Sequence, residues 1–222
     1  MTSAEAIQEL LASPEFPNAV AQLSTILEVE KQRRERFYDE ITPSMKAEFI
    51  NGEVIVHSPV ALKHLEVSRN IMRMLDAYVA GKAIGQVFPE KALIALTRND
   101  YEPDISYFTR EKADRFKANQ SKFPAPDLVV EILSPSTEQR DRGIKFRDYA
   151  AHGVQEYWIV DPERQEVEQY SIGSGAYSLV LKSGAGEIES VVVQGFKIPI
   201  KAIFDPALAL QTLKRFVEGW PK

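Results

Sequence analysis

The sequence predicts an α/β (α+β) fold in which a central mixed β-sheet is flanked by helices. Three observations carry this. The run Pro126-Asp127-Leu128-Val129-Val130-Glu131-Ile132-Leu133-Ser134-Pro135-Ser136 is apolar, β-branched and bounded by prolines, so it reads as a buried strand. A helical pattern over Thr137–His152 and a second strand over Gln155–Val160 follow at once, which implies a crossover and parallel pairing. Hairpin signals on either side imply antiparallel pairs, so the sheet is mixed.

The elements follow in order. Residues 3–12 read as a short helix, and Val20, Leu23, Ile26 and Leu27 set a helical spacing within Pro17–Glu40. The charge run Lys31–Arg36 reads as a solvated helix face. Residues 1–40 are thus an N-terminal helical extension, and residues 41–222 form the main domain. Met45–Val56 is a hairpin, since Asn51-Gly52 supplies the positive φ angles of a tight turn. Ala61–Ala80 is an amphipathic helix with Leu65, Ser68, Met72, Leu75 and Val79 on one face and Gly81 as its C-cap. Ile84–Phe88, Lys91–Thr97 and Tyr101–Phe108 read as strands, with Asp104 near the start of the third; Thr109–Lys117 is a short helix or loop. Thr137 can cap the helix that follows the central strand, and Gly153 ends it. Glu166–Ile172 and Tyr177–Lys182 are antiparallel strands, and Val191–Val193 with the segment around Ile198 completes the sheet. Ala207–Gly219 is a C-terminal helix.

Composition narrows the chemistry. The chain of 222 residues has no cysteine, which excludes disulfides and thiolate catalysis and fits a reducing cytoplasm. It lacks the apolar run of a membrane helix, and Met1–Ala6 lacks signal-peptide character, so a cytoplasmic protein without membrane attachment is expected. The formal charge of −5 argues against a globally basic nucleic-acid coat while leaving room for a local groove. With only His57, His64 and His152 available, a metal site leans on carboxylates, which favours Mg²⁺ or Mn²⁺ over zinc.

Glu131 is the outstanding residue, because a lone carboxylate in an apolar strand is expensive to desolvate. Lys145 lies on the next helix, ~12 Å of axial rise beyond Thr137, where it reaches Glu131 if the helix packs back along the sheet. Arg142 or Arg147 as a structural partner is the alternative. With Asp104, the set comprises two carboxylates and a lysine. Such carboxylates hold a hard cation, and the lysine orients water or balances developing charge. Asp141, four residues before Lys145, reads as its i,i+4 partner. Asp127 reads as a structural residue at the start of the strand, and Tyr157 and Trp158 as core.

These residues resemble the PD-(D/E)XK nucleases, and the chain is most similar to the Uma-type restriction endonuclease family within them. The resemblance rests on Glu48–Glu53, His64, Glu102–Ile105, Pro126–Ser136, Asp141–Lys145, Tyr149 and Gly153–Pro162, and spans roughly residues 45–205. It implies a restriction-endonuclease-like core, Mg²⁺ dependence, DNA as substrate and a homodimer that cuts two strands. It also implies that Asp104 and Glu131 hold the metal, that Lys145 assists the nucleophilic water, and that Glu48 and His64 belong to the site, with Glu48 reaching the metal through water. Leu133 stands where the simple motif has lysine, so the lysine has migrated to the helix as Lys145. The competing expectation is a catalytically silent homodimeric scaffold or nucleic-acid-binding module on the same fold. Under the nuclease reading, Lys145→Ala is expected to lower cleavage by roughly 10²–10⁴-fold while leaving folding and metal binding nearly intact.

Overall fold

The computed structural model describes residues 3–220. The chain divides into two compact units between His57 and Ser58. In the N-terminal unit, α1 (Ser3–Ala12) and α2 (Phe16–Glu40) precede a hairpin of β1 (Ala47–Ile50) and β2 (Glu53–Val56). The hairpin closes at Ile50↔Glu53 through Asn51 and Gly52, both at positive φ (51° and 85°), as the Asn-Gly pair predicts. Phe37 of α2 is buried against Phe49 of β1. Farther up α2, Val20, Leu23, Ile26 and Leu27 all remain exposed.

The second unit begins with α3 (Leu62–Lys82), β3 (Gly85–Pro89), β4 (Leu93–Ala95), β5 (Asp100–Tyr101), β6 (Ile105–Thr109), α4 (Arg110–Ala113) and β7 (Lys122–Phe123). The central strand is β8 (Leu128–Ile132), followed by α5 (Glu138–Arg140), a π-helical turn (Asp141–Lys145) and α6 (Phe146–Ala151). Then come β9 (Glu156–Asp161), β10 (Glu166–Ile172), β11 (Tyr177–Ser183), β12 (Glu187–Glu189), β13 (Lys197–Pro199), α7 (Lys201–Phe204) and α8 (Pro206–Glu218). The main sheet runs β11-β10-β9-β8-β6-β3. β8 and β9 are parallel and the other neighbours antiparallel, so the sheet is mixed as expected.

Strand alternation separates a core face from a polar face. Leu128, Val130 and Ile132 of β8, with Trp158 and Val160 of β9, join Ile71, Met74 and Leu75 of α3 in one apolar cluster. Glu131 and Tyr157 therefore point to the opposite face, where the helical run after β8 lies.

Several local expectations change. The Tyr101–Phe108 segment is two strands, because the bend at Glu102-Pro103-Asp104 interrupts the ladder and Pro103 has no N–H to give. The buried stripe of α3 is Val67, Ile71, Met74, Leu75 and Val79, and Leu65 is exposed. Gly81 lies inside α3, where a Cβ would overlap Trp220 Nε1; Ala83, at φ 52°, takes the left-handed cap. The Thr137 hydroxyl caps no helix and accepts instead from the Ser134 N–H at 3.3 Å. Val191–Val193 form no strand: β12 and β13 pair in a separate small sheet, and the intervening backbone serves Glu156.

Candidate active site

The site grows from the ladder between β6 and β8. Their antiparallel register ends at Ile105↔Val130, and Asp104 lies in the bend just before Ile105. Asp104 is locked in place: its Oδ2 accepts from the Ile132 N–H at 2.8 Å, and His64 Nε2 lies 3.4 Å from Oδ1. His64 sits in the first turn of α3, so the helix start and the strand end meet at one carboxylate.

Glu131 has the cation that its burial demands. Lys145 Nζ lies 3.1 Å from Glu131 Oε1 and 3.2 Å from Asp141 Oδ1. Tyr149 donates to the same Glu131 oxygen at 3.1 Å. The Tyr101 ring lies 5.7 Å from the Lys145 ammonium, a further favourable contact for a cation. Glu131, Asp141 and Lys145 are 3%, 1% and 2% exposed, so the charges interact largely out of water. Arg142 does not serve Glu131; it grips Glu168 with two hydrogen bonds of 2.8 and 3.2 Å.

The π-helical turn spans Asp141 to Lys145, and the Tyr157 hydroxyl donates to the Asp141 carbonyl at 3.0 Å. Such wide turns occur mostly as single-turn bulges within α-helices, frequently at functional sites. Burial, and next the negative charges of Glu131 and Asp141, push the Tyr157 hydroxyl well above its ordinary pKa, with Lys145 offsetting part of the shift. Tyr157 therefore acts as a neutral hydrogen-bond donor.

The structure pairs Lys145 with Glu131 and His64 with Asp104, and Asp104 binds the N–H of Ile132, next to Glu131 in β8. Glu48 is fully buried in β1 of the N-terminal unit, where His57 Nε2 lies 3.0 Å from its Oε2. That burial removes the reading of Glu48 as an exposed strand carboxylate. Tyr149 was legible as a helix position and its role was not. Asp141, Lys145 and Tyr149 recur at i, i+4 and i+8, a spacing that puts all three on one helix face. Asp127 is engaged structurally, accepting from the Thr109 N–H at 2.8 Å and pairing with Lys112 at 2.9 Å.

The donor chemistry fits a hard divalent ion. Among the described residues, no group of three or more His, Asp or Glu side chains forms a ready cage. Mg²⁺ commonly uses one or two carboxylates and fills its remaining positions with water and substrate oxygens. Asp104 and Glu131 could supply such a pair.

Residues 33–201 match the family model Uma2, described as "Putative restriction endonuclease". The chain belongs to the Uma2 family. Two uncharacterized proteins of Synechocystis sp. are similar to it: slr1290, 28% identical over 195 residues (86% of this chain, 95% of the relative), and sll1609, 29% identical over 128 residues (56% and 71%). A crystal structure of "a putative nuclease belonging to DUF820" from Anabaena variabilis superposes with a TM-score of 0.67 at 21% identity, covering 81% of this chain and 97% of that one. At that identity the likeness speaks for the fold, and it agrees with the mixed sheet and flanking helices described above. Among the described residues of this Uma2-family chain, no helix is long and apolar enough to cross a membrane.

Proposed function

We propose that this Uma2-family chain is a metal-dependent endonuclease that hydrolyses phosphodiester bonds of DNA. One observation carries the reading: Lys145 is held between Glu131 and Asp141 on the polar sheet face, and Asp104 binds the N–H of Ile132, the residue after Glu131. Asp104 and Glu131 are the residues that would hold Mg²⁺ or Mn²⁺, which when bound offsets phosphate charge and acidifies water. Lys145 sets a positive charge beside Glu131, where it orients the attacking water and balances charge developing on the phosphate. Tyr149 fixes the Glu131 carboxylate, and His64 fixes that of Asp104, so both act as positioning residues. In the reaction, a water oxygen bonds to phosphorus, the bond from phosphorus to the leaving sugar oxygen breaks, and that oxygen departs with a proton.

Incubation of supercoiled plasmid with the protein across a Mg²⁺ and Mn²⁺ titration tests this directly. Nicked or linear products that need the metal are expected. The net acidic charge favours a second reading, a catalytically silent homodimeric scaffold or nucleic-acid-binding module. Absence of metal-dependent cleavage of any nucleic acid would leave that reading in possession.

A homodimer is part of the proposal. The exposed row Val20, Leu23, Ile26 and Leu27 on α2 supports it, since an apolar row along a helix suits a second copy. Light scattering at micromolar concentration should give twice the chain mass, and Leu23→Glu with Leu27→Glu should return the monomer.

A further inference from the structure

A crevice of about 600 Å³ opens where the parallel strands β8 and β9 end, the position at which parallel sheets commonly receive ligands. Its walls come from three places: the start of α3, the loop after β8 and the turn between β9 and β10. The crevice adjoins the candidate site through two residues. His64 lines it and also lies 3.4 Å from Asp104; Leu133 lines it and directly follows Ile132, whose N–H Asp104 binds.

The lining chemistry selects a ligand class. Pro59, Val60, Leu133, Pro135 and Pro162 give rigid apolar surfaces. The charged groups around them already have opposite partners. Lys63 pairs with Glu163, Arg164 lies 3.7 Å from Asp161, and Glu138 binds Arg142 at 3.0 Å. Asp161 Oδ1 also accepts from the Glu163 and Arg164 N–H groups. A bare phosphate would thus meet cations that are already neutralised. The serines supply neutral polar groups. The Ser134 and Ser136 hydroxyls are 3.1 Å apart, and either can donate or accept. His64 Nδ1 is buried and has no hydrogen-bond partner among the described residues. Flat apolar faces edged by neutral donors and acceptors suit a planar heterocycle with a polar rim.

We propose that this crevice receives an unstacked nucleobase of the substrate strand, next to the phosphate that is cut. The inference rests on the nuclease reading for the words "substrate strand", and on the crevice alone for the nucleobase. It implies a preference for single-stranded, frayed or distorted DNA, in which a base leaves its stack at low cost.

The test uses the full chain with adenosine, cytidine and ribose 5-phosphate as separate probes, read by saturation-transfer NMR. The nucleosides should bind the parent and ribose 5-phosphate should not. Ser136→Trp and Pro59→Trp fill the crevice from opposite walls at exposed positions, and circular dichroism verifies their fold. Each should weaken nucleoside binding and raise KM for a single-stranded oligonucleotide by about tenfold, the scale of losing one stacked base, more than it lowers kcat. Ser136→Ala should bind nucleosides like the parent. Binding of ribose 5-phosphate without nucleosides, absence of nucleoside binding, or nucleoside binding that both tryptophan variants retain would overturn the inference. The two readings fail separately. Cleavage by a parent that binds no nucleoside removes the crevice and keeps the nuclease. Nucleoside binding by a parent that never cleaves removes the nuclease and keeps the crevice.

Discussion

Glu131 and Glu156 stand on neighbouring parallel strands, both buried, and their surroundings could hardly differ more. Glu156 is wrapped in neutral donors. Trp158 Nε1 and Gln169 Nε2 donate to its Oε1, both at 2.6 Å; Ser190 Oγ and the N–H groups of Val191 and Val192 donate to its Oε2 at 2.6, 2.9 and 3.0 Å. Glu131 shares one oxygen between a tyrosine and an ammonium, and that ammonium also faces Asp141. A carboxylate held by fixed, neutral donors is a structural pin, here fastening residues 190–192 to the sheet. A carboxylate balanced by a cation, beside two further carboxylates, holds concentrated charge at one strand end. Buried charge in that form is the arrangement expected of a reactive site, because its balance changes when substrate arrives.

The largest stability effect should come from Lys145→Met. The methionine keeps the apolar stem but leaves Glu131 and Asp141 buried without their cation, and breaking such a pair costs about 3–5 kcal/mol. The 2% exposure of Lys145 argues against the expectation that its removal leaves folding nearly intact. Combining Lys145→Met with Glu131→Gln and Asp141→Asn should recover most of the loss, since no uncompensated charge then remains. Urea unfolding of the single and triple variants measures both numbers. If the single variant unfolds at the parental midpoint, the coupling among the three groups is wrong.

Glu156→Gln should cost less, about 1–3 kcal/mol, because the amide keeps one accepting oxygen while its NH₂ faces groups that also donate. The same unfolding experiment reads it, and cleavage measured well below its melting point should stay parental. A selective loss of activity in this folded variant would erase the distinction between the two carboxylates.

A third effect, of similar size at pH 7 and vanishing in acid, concerns the joint between the helical run and β10. Burial of Glu168 by itself would raise its pKa, but hydrogen bonds from Arg142, Tyr170 and Lys182 outweigh it and bring the carboxyl to about 2. The folded value lies below the ordinary 4.5, so the stabilisation is present above that pH and is lost as pH falls toward 2. The contribution is roughly 1–3 kcal/mol after solvent screening. Glu168→Gln should therefore lower stability at pH 7 and narrow its gap from the parent between pH 4.5 and 2. A gap that does not vary with pH would remove this assignment.

Much of this was legible in the sequence, and the limits have physical causes. The β8 strand, the parallel partner β9 and the Asn51-Gly52 hairpin were readable because each depends on a short local pattern. The contact between Glu131 and Lys145 was readable because a buried carboxylate demands a partner and the next helix offers one. Tyr149 escaped as a site residue because an aromatic on an inward helix face looks like core. The π-helical turn escaped because nothing in Asp141-Arg142-Gly143-Ile144-Lys145 distinguishes it from an ordinary helix. The α3 face was misjudged because Leu65 and Met72 are as apolar as the residues that are buried. Glu156 went unremarked because its five donors come from β9, β10 and residues 190–192, which only the fold brings together.

The most direct test compares plasmid cleavage in saturating Mg²⁺ or Mn²⁺ by the parent, Glu131→Gln and Glu156→Gln, each verified as folded at the assay temperature. Glu131→Gln should lose about 10²–10⁴-fold in rate, the scale of removing a positioned group that acts in the transition state, while Glu156→Gln keeps the parental rate. Metal-dependent cleavage by Glu131→Gln at the parental rate would contradict the account, because the charge concentrated on that face would then have no part in the chemistry.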